Sequence, residues 1–259
     1  MIARIADEGR ALLAAIQFLT RLPVPGFAFD PRHLAMAVRW YPLVGALIGL
    51  IAALVLLGAA RIYPAPVAVL LALAVALMAT GGFHEDGLAD LFDGLGVMSR
   101  ARMLEVMRDS RLGSFGALAL MTVLALKAAA LIAMAAPVAA AALIAGHALG
   151  RLSSVLVIAT SRYVRDAGTA KPVADAVGPG GLAFAVATGA GAAWAGAVLA
   201  GLPPVALGAG LAGAAAGHVL ARALFERRLG GYTGDCLGAV QQLSETGLYL
   251  GVLAWLGTA

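Results

Sequence analysis

Charge is scarce in this sequence. Only 12% of the 259 residues are charged and 62% are hydrophobic, whereas soluble domains carry about 25% charged and 45–50% apolar residues. At a mean hydropathy of +0.94 the chain has too few polar side chains to cover a soluble surface. That excludes the soluble protein of one or two domains that length alone would allow. Cysteine is nearly absent. The single Cys236 excludes an intramolecular disulfide and any cysteine-built zinc or iron–sulfur centre, so it says nothing of redox compartment. The net charge of +4 does not point to nucleic acid, because the basic residues sit in loops beside apolar runs, where membrane orientation explains them.

The apolar runs themselves are abundant. A bilayer core takes about 20 apolar residues of helix. Seven stretches qualify, near 38–60, 65–83, 116–135, 138–160, 181–200, 203–221 and 237–257. Ahead of them, residues 1–26 are interrupted by Asp7, Glu8 and Arg10 and lack a clean apolar core with a small-residue cleavage pattern, so a signal peptide is not expected. This segment reads as an amphipathic helix with Ile5, Leu12, Leu13, Ile16 and Leu19 mostly on one side, lying on the membrane or packed on the bundle. The expected fold is all-α: a polytopic membrane bundle of about seven transmembrane helices with an N-terminal amphipathic helix, forming one domain over 1–259. No internal repeat stands out. Gly45 and Gly49 form a small-xxx-small pair, and the glycine-rich spans permit close helix packing, including association into a homo-oligomer.

Orientation follows from the basic residues. With sides alternating along seven spans, fifteen of the 18 Lys and Arg fall on the N-terminal side. Arg61 alone falls opposite, and Lys127 and Arg151 lie within spans. The positive-inside rule therefore places the N-terminus and the long connections 84–115, 161–180 and 222–236 in the cytoplasm. Trp40, Tyr41, Tyr63, Tyr232 and Trp255 lie near span ends and read as interfacial anchors. His147 and His218 read as buried hydrogen-bonding residues.

The acidic segment Thr80-Gly-Gly-Phe-His-Glu-Asp-Gly-Leu-Ala-Asp-Leu-Phe-Asp-Gly94 follows the second span. Asp86, Asp90 and Asp93 are spaced i, i+4, i+7, which on a helix puts them on one face. Their mutual repulsion is offset directly by a divalent cation, and hard oxygen donors favour magnesium or manganese. Glu85 adjoins them. His84 serves as ligand, general base or polar loop residue; with no His or Cys partner nearby it does not suggest zinc. The simpler reading is a solvated acidic face.

Two further segments supply complementary chemistry. In Met107-Arg-Asp-Ser-Arg-Leu-Gly-Ser-Phe-Gly116, Arg108 and Arg111 with Ser110 and glycines at a helix start suit phosphate oxygens, and Asp109 lies between them. In Gly230-Gly-Tyr-Thr-Gly-Asp-Cys-Leu-Gly-Ala239, Asp235 sits on a glycine-flanked loop and Thr233 is placed to cap the last helix. Glu245, inside the last span, is expected to face the bundle interior; Lys127 and Arg151, near mid-span, pair with it or with other buried polar groups, or reach toward phosphate. Acids for a divalent metal beside arginines for phosphate imply phosphoryl or nucleotidyl transfer at a membrane face.

These motifs resemble those of the cobalamin synthase family, the adenosylcobinamide-GDP ribazoletransferases. The resemblance rests on Gln17-Phe-Leu-Thr-Arg-Leu-Pro-Val-Pro25, Tyr41-Pro-Leu-Val-Gly45, residues 82–94, 108–116 and Thr233-Gly-Asp-Cys-Leu-Gly-Ala239, in family order over most of the chain. It implies an enzyme of the bacterial inner membrane with its site facing the cytoplasm and Mg2+ as cofactor. The implied substrates are adenosylcobinamide-GDP and α-ribazole or its 5′-phosphate; GMP leaves and adenosylcobalamin or its 5′-phosphate forms. It further implies metal on Glu85, Asp86, Asp90 and Asp93, substrate on Arg108, Asp109, Ser110, Arg111 and Thr233, and His84 and Asp235 as the catalytic pair that orients or deprotonates the hydroxyl. Two alternatives were weighed. A CDP-alcohol phosphotransferase would need an arginine where Leu91 stands, and a cation-coupled transporter would need ionisable groups deep in several spans.

Overall fold

In the computed structural model, residues 2–26, 30–165, 171–174 and 177–258 are described. Its helices are α1 (Ile2–Leu19), α2 (Pro31–Ala37), α3 (Tyr41–Ala59), α4 (Ala65–Thr80), α5 (Phe83–Leu95), α6 (Arg100–Val106), α7 (Ser114–Ile132), α8 (Ala136–Thr160), α9 (Pro179–Leu199), α10 (Pro204–Leu229) and α11 (Gly234–Leu256). Among the described residues there is no strand, only an isolated bridge between Tyr163 and Tyr232. All seven expected spans are helices. Proline stands in the first turn of α3, α4, α8, α9 and α10, where its missing N–H costs nothing and its fixed φ starts the helix.

Five of the seven, α3 and α7–α10, are long and apolar enough to cross a membrane alone. Helix α4 has only 16 residues and qualifies as a sixth span together with α5, from which it is bent by 87°. Helix α11 falls outside the apolar criterion because Gln241, Gln242, Ser244, Glu245 and Thr246 lie along it, and all five are buried against neighbouring helices. Leu54, Leu70, Met78, Met121, Leu199 and Val219 stay exposed on the outer faces of α3, α4, α7, α9 and α10. Such an apolar exterior around a polar interior is that of a multi-pass membrane protein.

Glycines set the packing. On α3, a Cβ at Gly45 would meet the His147 carbonyl and Arg151 Cδ of α8, and one at Gly49 would lie 2.6 Å from the Leu143 carbonyl oxygen. The α10–α11 pair repeats the device, with Gly213 and Gly247 each facing the other's backbone. Close backbone approach of this kind supplies the van der Waals contact that holds helices together where lipid competes with any apolar surface. Helix α1 takes the second of its two expected positions: Ala11, Ala14, Ala15 and Leu19 are buried, and the helix packs on α2 and α3.

Two expectations about aromatic residues change. Tyr63 is exposed, but Tyr41 and Tyr232 are buried and are not interfacial anchors. Proximity to a span end marks an anchor only if the side chain faces outward, and both residues face the interior. The span expected to end at 221 also continues. Arg222 and Glu226 pair along α10 at 2.7 Å, one turn apart, and carry the helix on to Leu229.

Candidate active site

Helix α4 ends at two consecutive glycines, Gly81 and Gly82, with φ of 67° and 68°. This left-handed conformation is open to glycine at little cost and not to most other residues. The chain thereby turns through 87° into α5. At 13 residues α5 is too short to span a bilayer, and it carries the acidic segment along the end of the bundle. The three aspartates expected on one helical face are therefore on a helix, and the structure separates their roles.

Asp93 faces α7. Its two carboxylate oxygens accept hydrogen bonds from the backbone N–H groups of Gly113 (2.7 Å) and Gly116 (2.8 Å). It caps the α7 N-terminus from outside, where unpaired amides and the helix dipole favour a negative charge. Asp90 and Asp86 lie about one and two turns before Asp93 on the same side of α5, and both come near Asp235 at the start of α11. The closeness has a backbone cause. Gly87 and Gly238 pack face to face, so that a Cβ on Gly87 would lie 2.8 Å from the Asp235 carbonyl oxygen and one on Gly238 would lie 2.7 Å from that of His84. Burial, and after it the neighbouring carboxylates Asp235 and Asp86, push Asp90 up to about 7. Repulsion is thus concentrated at Asp86, Asp90 and Asp235.

Among the described residues no group of three or more His, Cys, Asp or Glu side chains is arranged as a metal cage. Magnesium rarely needs one, since it is typically held by one or two carboxylates and completed by water and substrate phosphate. The crowded carboxylates at Asp86 and Asp90 fit that pattern better than Asp93, whose oxygens already accept from amides. Glu85 points inward: its Oε1 accepts from Gln242 Nε2 at 2.7 Å.

Asp235 is ion-paired to Arg165 at 2.8 Å, and Arg165 also donates to the Met107 carbonyl at 3.2 Å. One guanidinium thus ties the connections after α6 and after α8 to the start of α11. Thr233 occupies the N-cap position of α11 but makes no capping bond; its hydroxyl donates instead to Asp235 Oδ2 at 3.3 Å. That corrects the expected cap and leaves Thr233, fully buried, as a support for Asp235. His84 is buried and edge-on to Phe83. Burial, then the nearby Arg151, lower its pKa well below the usual histidine value and hold the imidazole neutral.

The arginine loop lies at the surface. Arg108, Ser110 and Arg111 are exposed. Arg111 is 87% exposed and bonds Asp109 through Nε at 3.0 Å, which holds the Asp109 carboxyl down at about 2. Asp109 is therefore the partner of Arg111 and lies apart from the α5–α11 acids.

Two adjoining cavities open beside these groups. The larger, about 750 Å3, is lined by Gln17, Thr20, Arg21, Gly81, Gly82, Glu85, Asp86 and Leu112 among others. The smaller, about 200 Å3, is lined by Tyr41, His84, Asp86, Arg151, Ser154 and Asp235 among others. Phe18, Phe83 and Asp86 belong to both. The motif at 17–25 thus reaches the site: Arg21 N donates to the Ala79 carbonyl at 2.7 Å, which lays this segment beside the Gly81–Gly82 turn. Gln17, Thr20, Arg21 and Arg165 were not foreseen as site residues, and the sequence marks Arg151 only as a buried pairing partner or a group reaching toward phosphate. For the first three, the only signal was membership in a quoted motif.

Deep in the bundle, Lys127 Nζ pairs with Glu245 Oε1 at 2.8 Å, and Gln241, Tyr249 and Gln242 complete the network. Of the two partners expected for Glu245, Lys127 is the one that reaches it. His147 and His218 make the expected hydrogen-bonding contacts, to Arg151 at 3.0 Å and to Ser153 at 2.6 Å, but only His147 is buried; His218 is half-buried.

Gly87→Ala tests the α5–α11 contact. Overpacking a tight site costs about 1–3 kcal/mol, so the variant is expected to melt at lower temperature in detergent and to lose turnover. Gly58→Ala, on α3 where a Cβ meets nothing within 4 Å, is the control. Equal behaviour of the two variants would show that the backbone contact does not set the site.

Residues 11–253 match the family described as cobalamin-5-phosphate synthase. Relatives named adenosylcobinamide-GDP ribazoletransferase include those of Leptothrix cholodnii, 45% identical over 98% of each chain, and Ralstonia nicotianae, 44% identical over 98% of this chain and 99% of the relative. The Shewanella frigidimarina relative is 43% identical over 93% of this chain and 92% of its own. No solved structure matches the chain. A match that takes in α5, the arginine loop and the start of α11 together leaves one family: the chain belongs to the cobalamin-5-phosphate synthases.

Proposed function

We propose that this protein is an adenosylcobinamide-GDP ribazoletransferase acting on the last steps of cobalamin synthesis. A hydroxyl oxygen of α-ribazole, or of its 5′-phosphate, forms a bond to the phosphorus that carries the cobinamide arm. The phosphoanhydride bond to GMP breaks, GMP leaves with the bonding electron pair, and the hydroxyl proton passes to a base on the chain. The observation that carries this reading is the Gly87–Gly238 contact, which sets α5 against the start of α11, with Asp86 lining both cavities, Asp235 lining the smaller, and Asp90 near enough to Asp235 to be pushed up by it.

Residue roles follow from position. Asp86 and Asp90 hold magnesium, with Glu85 beside them and Asp93 fixing the α7 end of the same helix. When bound, magnesium neutralises the diphosphate and stabilises the leaving phosphate. Arg108 and Arg111, with Ser110, receive phosphate oxygens at the mouth of the site, where Arg111 exchanges Asp109 for substrate. Neutral His84 and the Arg165-anchored Asp235 are the two groups placed to take the hydroxyl proton. The transporter alternative loses its main residue, because Glu245 is ion-paired with Lys127. Glycines that face open space, Gly191 and Gly208, are the surface for homo-oligomerisation.

Purified protein in detergent, given adenosylcobinamide-GDP, α-ribazole or its 5′-phosphate, and magnesium, should release GMP and form a product of the corresponding mass. Absence of GMP with both acceptors would remove the reading. The fifteen-to-one basic asymmetry supports a site at the cytoplasmic face of the bacterial inner membrane. A reporter fused after residue 259 should then be active outside the cytoplasm, and cytoplasmic activity would show that α11 or α4 does not cross.

A further inference from the structure

We propose that the smaller cavity is an anion subsite in which Arg151 and Tyr41 seat the terminal phosphate of a phosphorylated acceptor. The inference rests on the transferase reading and names a preference within it.

Arg151 is 1% exposed. Its guanidinium donates to His147 Nδ1 at 3.0 Å and to the His147 carbonyl at 3.2 Å, and its Nε has no partner. Among the described residues no carboxylate lies within ion-pair distance of it: Glu245 is paired with Lys127 and Asp235 with Arg165, and Glu245 and Glu85 act on Arg151 only from farther off. A buried charge ordinarily has a counter-ion. The hydroxyl of Tyr41, 3% exposed, also has no partner. Both residues line the 200 Å3 cavity.

Two donors without acceptors, one of them charged, specify an anion, and a guanidinium beside a phenol suits phosphate oxygens. The cavity also holds the carboxylates of Asp86 and Asp235 and the imidazole of His84. The anion therefore belongs at the Arg151–Tyr41 end. Size selects its source. A diphosphate bridge is flanked by two bulky groups and cannot enter a cavity of about 200 Å3 end-on, whereas a 5′-phosphate monoester is a chain end and can. Gly45 supports the arrangement, since a Cβ there would lie 2.6 Å from Arg151 Cδ.

The test compares acceptors on the purified full-length protein. Arg151→Gln is expected to raise KM for α-ribazole 5′-phosphate by roughly tenfold or more, while KM for unphosphorylated α-ribazole and for adenosylcobinamide-GDP stays within about twofold. Arg151→Lys should fall between. Tyr41→Phe, which removes only an unpartnered hydroxyl, should shift the same KM in the same direction and keeps the test open if Arg151→Gln does not fold. Inorganic phosphate should raise the melting temperature of the wild type and not of Arg151→Gln. Equal losses with both acceptors would make Arg151 structural, and a rise confined to the KM for adenosylcobinamide-GDP would assign the cavity to the diphosphate; either overturns the proposal. If the wild type turns over neither acceptor, the transferase reading fails, and the phosphate-dependent melting shift still decides the subsite.

Discussion

Asp86→Asn and Asp90→Asn are each expected to lower turnover by about a hundredfold or more while the protein still inserts and folds, the scale of losing an electrostatic group in the transition state. The two carboxylates share one end of α5 with Asp235, and Asp90 is pushed up to about 7 by burial and then by Asp235 and Asp86. Removing one negative charge relieves that repulsion, so the melting temperature in detergent should hold or rise. Asp93→Asn should behave differently. An asparagine keeps one acceptor oxygen, but its amide confronts a backbone N–H that Asp93 now satisfies at Gly113 or Gly116. The loss of a charge-assisted cap is worth about 1–3 kcal/mol, and the variant should melt earlier. EDTA should stop turnover of the wild type and magnesium should restore it. The assignment fails if Asp86→Asn and Asp90→Asn keep turnover within about tenfold, or if Asp93→Asn loses activity with no change in melting temperature.

That division of labour was only half legible in the sequence. The i, i+4, i+7 spacing correctly puts Asp86, Asp90 and Asp93 on one helix, because local periodicity fixes which residues share a face. It cannot say what the face meets. Asp93 finds amides 20 and 23 residues away, and Asp235 finds Arg165 across 70 residues. Such partners depend on tertiary packing. The long apolar runs were readable for the opposite reason, since bilayer thickness constrains each one alone. The boundary of the second span was missed because Gly81 and Gly82 turn the chain where hydropathy continues smoothly. Gly45 and Gly49 were readable as a packing pair, but their partner α8 was not, nor that the pair would fix Arg151. Tyr41 and Tyr232 show the same limit: position along a span was legible, rotation about its axis was not.

The buried network should give the largest effect on stability. Glu245 is 1% exposed and Lys127 2%. Glu245 accepts from Lys127 Nζ at 2.8 Å and from the Tyr249 hydroxyl at 2.9 Å through Oε1, and from Gln241 through Oε2. Glu245→Ala leaves an ammonium, a phenol and an amide without this acceptor in a water-poor interior. Removing one partner of a buried ion pair costs about 3–5 kcal/mol, whereas replacing both by apolar groups is often neutral. Glu245→Ala should therefore unfold far more readily in detergent, and Glu245→Ala with Lys127→Met should recover most of the loss. Turnover should fall in the single variant as well, because Gln242 bonds both Lys127 Nζ and Glu85 Oε1. A change at Glu245 thus reaches Glu85, at the edge of the larger cavity, through three hydrogen bonds. If Lys127→Met fails to rescue Glu245→Ala, the carboxylate acts on something other than Lys127. If Glu245→Ala melts as the wild type does, the ion pair does not hold α7 to α11.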